Sequence, residues 1–151
     1  QAIAGSRLDM TRIARDVADQ LRAEYPRARL EIGEMPPAIG DAKLVRQVYA
    51  NLIGNALKYS SQQDAPRVDV GAEHLEAGTV YFVRDNGIGF DMRYIGKLFK
   101  PFERLHSDAA FEGAGIGLAL ASLIVHRHGG RIEAESAPGQ GATFRFTLGG
   151  P

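Results

Sequence analysis

Eighteen glycines punctuate this chain of 151 residues, and half of them fall into four clusters at 86–90, 113–117, 129–130 and 139–141. Each cluster lies between segments of regular hydrophobic period, so the glycines mark the turns where one element hands over to the next. No internal repeat or low-complexity tract interrupts that pattern. The longest largely apolar stretch, Ile116 to Val125 with Gly117 inside it, is about half of what a bilayer crossing needs, and no basic stretch leads into an apolar signal segment. The length fits one domain with a core that stands without staples. Cysteine is absent, which excludes disulfide scaffolds, thiolate metal sites and cysteine nucleophiles. Eighteen Lys and Arg balance 18 Asp and Glu, so no global field holds nucleic acid or an anionic membrane. The chain opens on Gln1 rather than Met and reads as a fragment or a processed product.

Between the glycine clusters the period alternates between helix and strand. Asp9 caps a helix to about Glu24, with Ile13, Val17 and Leu21 on one face. Ala28 to Ile32 reads as a short strand, followed by a Gly/Pro loop from Gly33 through Pro36 and Pro37 to Gly40. Asp41 caps a longer helix to about Tyr59, whose broad apolar face carries Leu44, Val48, Leu52 and Ala56. Arg67 to Glu73 and Thr79 to Arg84 form a hairpin around Glu76-Ala77-Gly78. A third helix runs from near Gly115 to a stop at Gly129. Arg131 to Ser136 and Ala142 to Leu148 are two further strands. About five strands and three helices in the order α β α β β α β β predict a two-layer α+β domain, with helices on one face of a mainly antiparallel sheet.

Three patterns carry possible chemistry. On the second helix Gln47, Asn51 and Asn55 recur every fourth residue, with Lys58 one turn further on, in a stripe along the edge of the apolar face. Asparagine is a poor mid-helix residue, and two at this spacing ask for a reason beyond edging a helix. A neutral amide oxygen suits Mg²⁺, which takes few protein ligands and completes its shell with phosphate and water. Asp85-Asn86-Gly87-Ile88-Gly89-Phe90 follows a strand, yet the next residues do not alternate, so no strand obviously returns. A carboxylate there, with glycines admitting a ring to the backbone, could accept a hydrogen bond from an exocyclic amine such as that of adenine. Gly113-Ala114-Gly115-Ile116-Gly117 opens a helix and offers backbone N–H groups to a phosphate. It is not a P-loop, because no Gly-Lys-Ser/Thr follows, nor a Rossmann turn, because the polar segment Glu103 to Glu112 precedes it. That segment reads as a mobile lid.

Taken in order, Asn51…Asn55-Ala56-Leu57-Lys58-Tyr59, Asp85-Asn86-Gly87-Ile88-Gly89-Phe90, Phe99-Lys100-Pro101-Phe102 and Gly113-Ala114-Gly115-Ile116-Gly117-Leu118 closely resemble the ATP-binding catalytic domain of bacterial sensor histidine kinases. That family belongs to a wider ATPase group with gyrase, the heat-shock chaperone and mismatch-repair proteins. The resemblance covers about residues 8 to 149, including the closing Gly139-Gln140-Gly141-Ala142-Thr143-Phe144 turn, and Phe102-Glu103-Arg104-Leu105-His106 looks like kinases attached to phytochrome or PAS sensors.

The resemblance implies a Bergerat-type α/β sandwich with a mixed sheet of about five strands and three helices. It implies that Asn55 ligates Mg²⁺ with Asn51 and Lys58 near the phosphates of ATP, that Tyr59 flanks the adenine, and that Asp85 accepts its amine hydrogen. Gly87, Ile88, Gly89, Gly113, Gly115, Ile116, Gly117 and Leu118 would shape the pocket, and residues 103 to 113 would form the ATP lid. Arg104 stands where a phosphate-contacting arginine is often found, Phe99 and Phe102 match the phenylalanine motif, and Thr143 matches the threonine of the last motif. In hydrolysing relatives a glutamate one turn before the metal asparagine activates water. Here that place is Asn51, which takes up no proton at neutral pH and favours phosphoryl transfer over hydrolysis.

None of His74, His106, His126 and His128 matches the family's acceptor histidine, and His126 and His128 read as histidines near a helix end rather than a metal site. The acceptor is therefore expected on a dimerisation domain preceding residue 1, with residues 1–8 a remnant of the connection and 9–149 the catalytic domain. A response regulator would act through that domain. No nucleic acid or direct membrane contact is expected, and the isolated domain would be a cytoplasmic monomer. Two other readings are an anti-sigma-type serine kinase and a degenerate domain used for protein contacts.

Overall fold

Two aspartates start the first helices. The Asp9 carboxylate accepts the Arg12 N–H (3.1 Å) ahead of α1 (Met10–Arg22), and Asp41 accepts the Leu44 N–H (3.0 Å) ahead of α2 (Ala42–Ser60). Each cap contributes about 1 kcal/mol. The structure, a computed structural model, describes residues 3, 5–94, 96, 99 and 114–149. In chain order the strands are β1 (Ser6–Leu8), β2 (Arg29–Ile32), β3 (Ala38–Gly40), β4 (Arg67–Leu75), β5 (Gly78–Asp85), β6 (Ile132–Ser136) and β7 (Ala142–Phe146). A 3-10 turn spans Met92–Tyr94, and α3 runs over Ala114–Arg127. Gly129 follows α3 with φ +78°, the left-handed stop the sequence calls for.

The main sheet has the order β2-β4-β5-β7-β6. Its β2–β4 pair is parallel, from Arg29 opposite Arg67 to Ile32 opposite Val70, and the other pairs are antiparallel. A parallel neighbour needs a crossover, and α2 provides it. Val68, Val70, Tyr81, Val83, Phe144 and Phe146 alternate onto the face that meets the helices, where Val17, Val48, Tyr49, Leu52 and Ile53 join them in one buried core. Phe146 anchors it, with ring centroids 5.5 Å from Tyr81 and 5.6 Å from Tyr49. Such aromatic pairs contribute about 1 kcal/mol each beyond the area they bury. The opposite face is polar: Arg145 lies between Glu73 (3.6 Å) and Glu135 (2.9 Å), and the Arg84 guanidinium covers the Phe82 ring.

The two-layer α+β architecture and the five-stranded mixed sheet match expectation, with one correction. Gly33 to Gly40 is not loop throughout, because Ala38–Gly40 pairs antiparallel with Ser6–Leu8 in a separate two-stranded ribbon. Three-residue strands are too short to show an alternating period, and these two are 30 to 34 residues apart in register. The ribbon still buries Leu8 in the core.

Candidate functional site

The polar stripe of α2 is partly committed to structure. Gln47 Nε2 donates to Asn51 Oδ1 (3.0 Å), and Asn51 Nδ2 donates to the carbonyl of Gly117 (3.0 Å). Asn51 thus ties α2 to the first turns of α3. Asn55, one turn on, differs: its Nδ2 is buried and has no hydrogen-bond partner among the described residues. A buried amide left unmatched costs about 1–3 kcal/mol and points to a partner supplied from elsewhere. Half a turn about its last bond exchanges the nitrogen for the oxygen, so the position serves a donor or an acceptor. The Lys58 ammonium stands 5.5 Å from the centroid of the Tyr59 ring.

Across from the stripe, β5 ends at Asp85, which is only 9% exposed. The backbone N–H of Gly87 donates to Asp85 Oδ1 (2.7 Å), and the N–H of Ala142 holds the carboxylate from the neighbouring strand. Burial outweighs both bonds and pushes the Asp85 carboxyl up to about 6. The loop that follows passes so close to α2 that a Cβ on Gly87 would run into the Tyr59 carbonyl oxygen. Gly89 adopts φ +68°, where a side chain would strain the backbone and strike the Ala137 carbonyl. Tyr59 also receives the Ile88 N–H at its carbonyl (3.2 Å), which closes the seam between helix and loop.

Asn55 and Asp85 line one cleft. Ala56, Tyr59 and Leu118 complete its helical side, and Ile88, Gly89, Phe90, Ala142 and Phe144 its sheet side. The gap amounts to about 400 Å³ including its open mouth. Its mostly apolar walls with a few convergent polar groups suit a flat heteroaromatic ring.

The structure brings together Asn55, Tyr59, Asp85, Ile88, Gly89 and Leu118 around this cleft, with Gly87 against Asp85 and Gly117 against Asn51. Gly115 and Ile116 lie in the first turn of α3. Thr143 is not in the cleft: it sits opposite Arg84 on the outer face of the sheet, and Arg84 Nε donates to its hydroxyl (3.4 Å). Phe99 meets Phe144 edge-on at 6.1 Å. Arg104, Phe102, Gly113 and the lid at 103–113 lie outside the described residues.

Sequence reasoning gave no role to Ala56, Phe90, Ala142 and Phe144, which line the cleft. Their signal was register: Asp85 pairs with Ala142, so Ala142 and Phe144 must share its face. His128 also has a task. Its Nε2 accepts the Asp41 N–H (3.1 Å) while Nδ1 meets the Ile124 carbonyl (2.9 Å), so the ring joins the start of α2 to the end of α3. Among the described residues no group of three or more His, Asp or Glu could hold a metal, and no helix is long and apolar enough to cross a membrane.

Residues 40–150 match the family model described as histidine kinase-, DNA gyrase B-, and HSP90-like ATPase. Over 127 residues the chain is 37% identical to the phytochrome-like protein Cph1 of Synechocystis sp. (strain ATCC 27184 / PCC 6803 / Kazusa), covering 84% of this chain and 17% of that protein. It spans less than a fifth of the length of the phytochrome-type relatives it matches. Among solved structures, the ATP binding domain of PrrB from Mycobacterium tuberculosis is similar over 98% of both chains, with TM-score 0.74 and 26% identity. The mycobacterial sensor histidine kinase MprB shares the fold at TM-score 0.82 and 24% identity, over 95% of this chain and 97% of that one.

Proposed function

The chain belongs to the family of histidine kinase-, DNA gyrase B- and HSP90-like ATPases, and from that premise we propose that it is the ATP-binding catalytic domain of a sensor histidine kinase. One observation carries the reading: a nearly buried carboxylate held by backbone N–H groups, Asp85, and a buried amide nitrogen without a partner among the described residues, that of Asn55, face one apolar cleft. Ionised, Asp85 accepts a hydrogen bond from the exocyclic amine of adenine, with Tyr59 and Ile88 flanking the ring and Phe90, Leu118 and Phe144 supplying apolar contact. Asn51, Lys58, Arg104 and the backbone of Gly113, Gly115, Ile116 and Gly117 serve the phosphates. Thr143, on the outer face, has no part in this cleft.

As placed, the unmatched Asn55 nitrogen suits a phosphate oxygen; with the amide turned over, its neutral oxygen suits a hard divalent cation that leaves the remaining positions to phosphate and water. Mg²⁺ held by Asn55 would neutralise phosphate charge. Asn51 has both ends of its amide engaged, by Gln47 and by Gly117, and an amide takes no proton at neutral pH. The turn before Asn55 therefore offers no base for water. The domain instead positions the γ-phosphoryl group for an imidazole nitrogen from outside: the new N–P bond forms, the bond to the bridging oxygen breaks, and ADP leaves.

The acceptor histidine sits on a dimerisation domain ahead of residue 1, and because Ser6–Leu8 pairs with Ala38–Gly40 and Leu8 joins the core, the catalytic domain takes in residues 6–8 as well as 9–149 and leaves only the residues before Ser6 as connection. A response regulator takes the phosphoryl group from it, and the domain by itself is a cytoplasmic monomer. Mixing the chain with such a dimerisation domain and Mg-ATP is expected to give an acid-labile phosphohistidine and little free phosphate. An acid-stable product, or rapid hydrolysis without an acceptor, would overturn the reading.

A further inference from the structure

The turn between β6 and β7 is stitched to the loop that follows β5. The Gly139 N–H donates to the Ile88 carbonyl (2.6 Å) and the Gly141 N–H to the Gly87 carbonyl (3.0 Å). Ser136, the half-buried last residue of β6, adds the one side chain among these bonds. Its Oγ accepts the Phe90 N–H (2.9 Å) and donates to the Gly141 carbonyl (2.6 Å). A hydroxyl both donates and accepts, and here the two capacities are spent in opposite directions across one seam. The fit is close: a Cβ on Gly89 would come within 3.0 Å of both the Ser136 hydroxyl and the Gly141 carbonyl.

The seam governs the carboxylate beside it. Asp85 is gripped by the Gly87 N–H from the loop side and by the Ala142 N–H from the turn side. The separation of those two N–H groups sets where the carboxylate oxygens point, and Ser136 bridges the segments that carry them. We infer that Ser136 is a positioning residue for nucleotide recognition: its hydroxyl locks the loop after β5 to the β6–β7 turn and thereby aims Asp85 at the amine that distinguishes adenine from hypoxanthine. The inference rests on the adenine reading of the cleft given above.

Calorimetry of the 151-residue chain with Mg-ADP and with Mg-IDP tests it, because the base of IDP carries an oxygen where adenine carries the amine. The unaltered chain prefers ADP. In Ser136→Ala the affinity for ADP falls about tenfold, the loss of about one well-placed hydrogen bond, while that for IDP stays the same, so the preference shrinks. Ser136→Thr, which keeps the hydroxyl, restores it. An equal loss for both nucleotides, an undiminished preference, or a Ser136→Ala chain that no longer folds would overturn the inference and leave the hydroxyl a purely structural group. An unaltered chain that binds both nucleotides alike would overturn the adenine reading itself.

Discussion

The two walls of the cleft are built to different standards of completion. On the sheet wall the loop after β5 is held from within the protein: Gly87 and Ala142 hold Asp85, Tyr59 holds Ile88, and Ser136 holds Phe90. On the helix wall Asn51 is matched at both ends, but among the described residues Asn55 keeps a buried amide nitrogen without a partner. A wall fixed in advance presents an aimed acceptor to a base. A wall with an open polar valence waits for a charged group to complete it.

That contrast breaks most sharply at Asp85. Asp85→Asn is expected to weaken Mg-ADP binding about a hundredfold, since an ionised acceptor is replaced by an amide. Its unfolding temperature should stay within about 5 °C of the unaltered chain, so calorimetry and thermal unfolding together separate lost recognition from lost fold. Removing the open valence acts on the other wall. Asn55→Ala is expected to lose about tenfold in affinity when Mg²⁺ is present and nothing when it is chelated, while folding stability holds or rises because an unmatched buried group is gone. An equal loss with and without the ion would place Asn55 on the base rather than on the phosphates.

Acidity sharpens the same contrast. With the Asp85 carboxyl at about 6 when folded against 3.8 as its ordinary value, ADP affinity should fall about tenfold for each unit of pH below 6. Stability of the free chain moves the opposite way. The contribution of Asp85 is fully present below 3.8 and is lost as the pH rises through about 6, on the order of 3 kcal/mol from a shift of roughly two units. Denaturant titrations across this range should show that slope in the unaltered chain and its absence in Asp85→Asn. The smallest effect belongs to Thr143→Val on the outer face, where only the Arg84 contact is lost. Nucleotide affinity should not change, and a marked loss would mean that the outer face communicates with the cleft.

Much of this was legible in the sequence because local rules produced it. Asp9 and Asp41 announce their helices by cap chemistry, Glu76-Ala77-Gly78 announces its hairpin, and the four-residue spacing from Gln47 to Asn55 sets the stripe on the edge of α2. What stayed hidden depends on partners distant in the chain. The pairing of Ser6–Leu8 with Ala38–Gly40 leaves no period to read. Thr143 shares a motif with Ala142 and Phe144 yet faces away from them, because alternation along β7 sends neighbours to opposite faces. Likewise nothing near His128 in the sequence reveals that it receives the N–H of Asp41, 87 residues away.

The single parallel pair has a consequence for how the molecule assembles. The β4–β5 hairpin closes over two residues, whereas β2 reaches β4 only after the chain has wound through β3 and the whole of α2. Local hairpins form early, and distant pairings carry a larger entropy of closure and come late. Asp85 belongs to the quick part, whereas Asn55 reaches it only when α2 docks on the sheet. Nucleotide capture during refolding should therefore lag behind hairpin formation, which makes ligand uptake a clock for the last stage of folding.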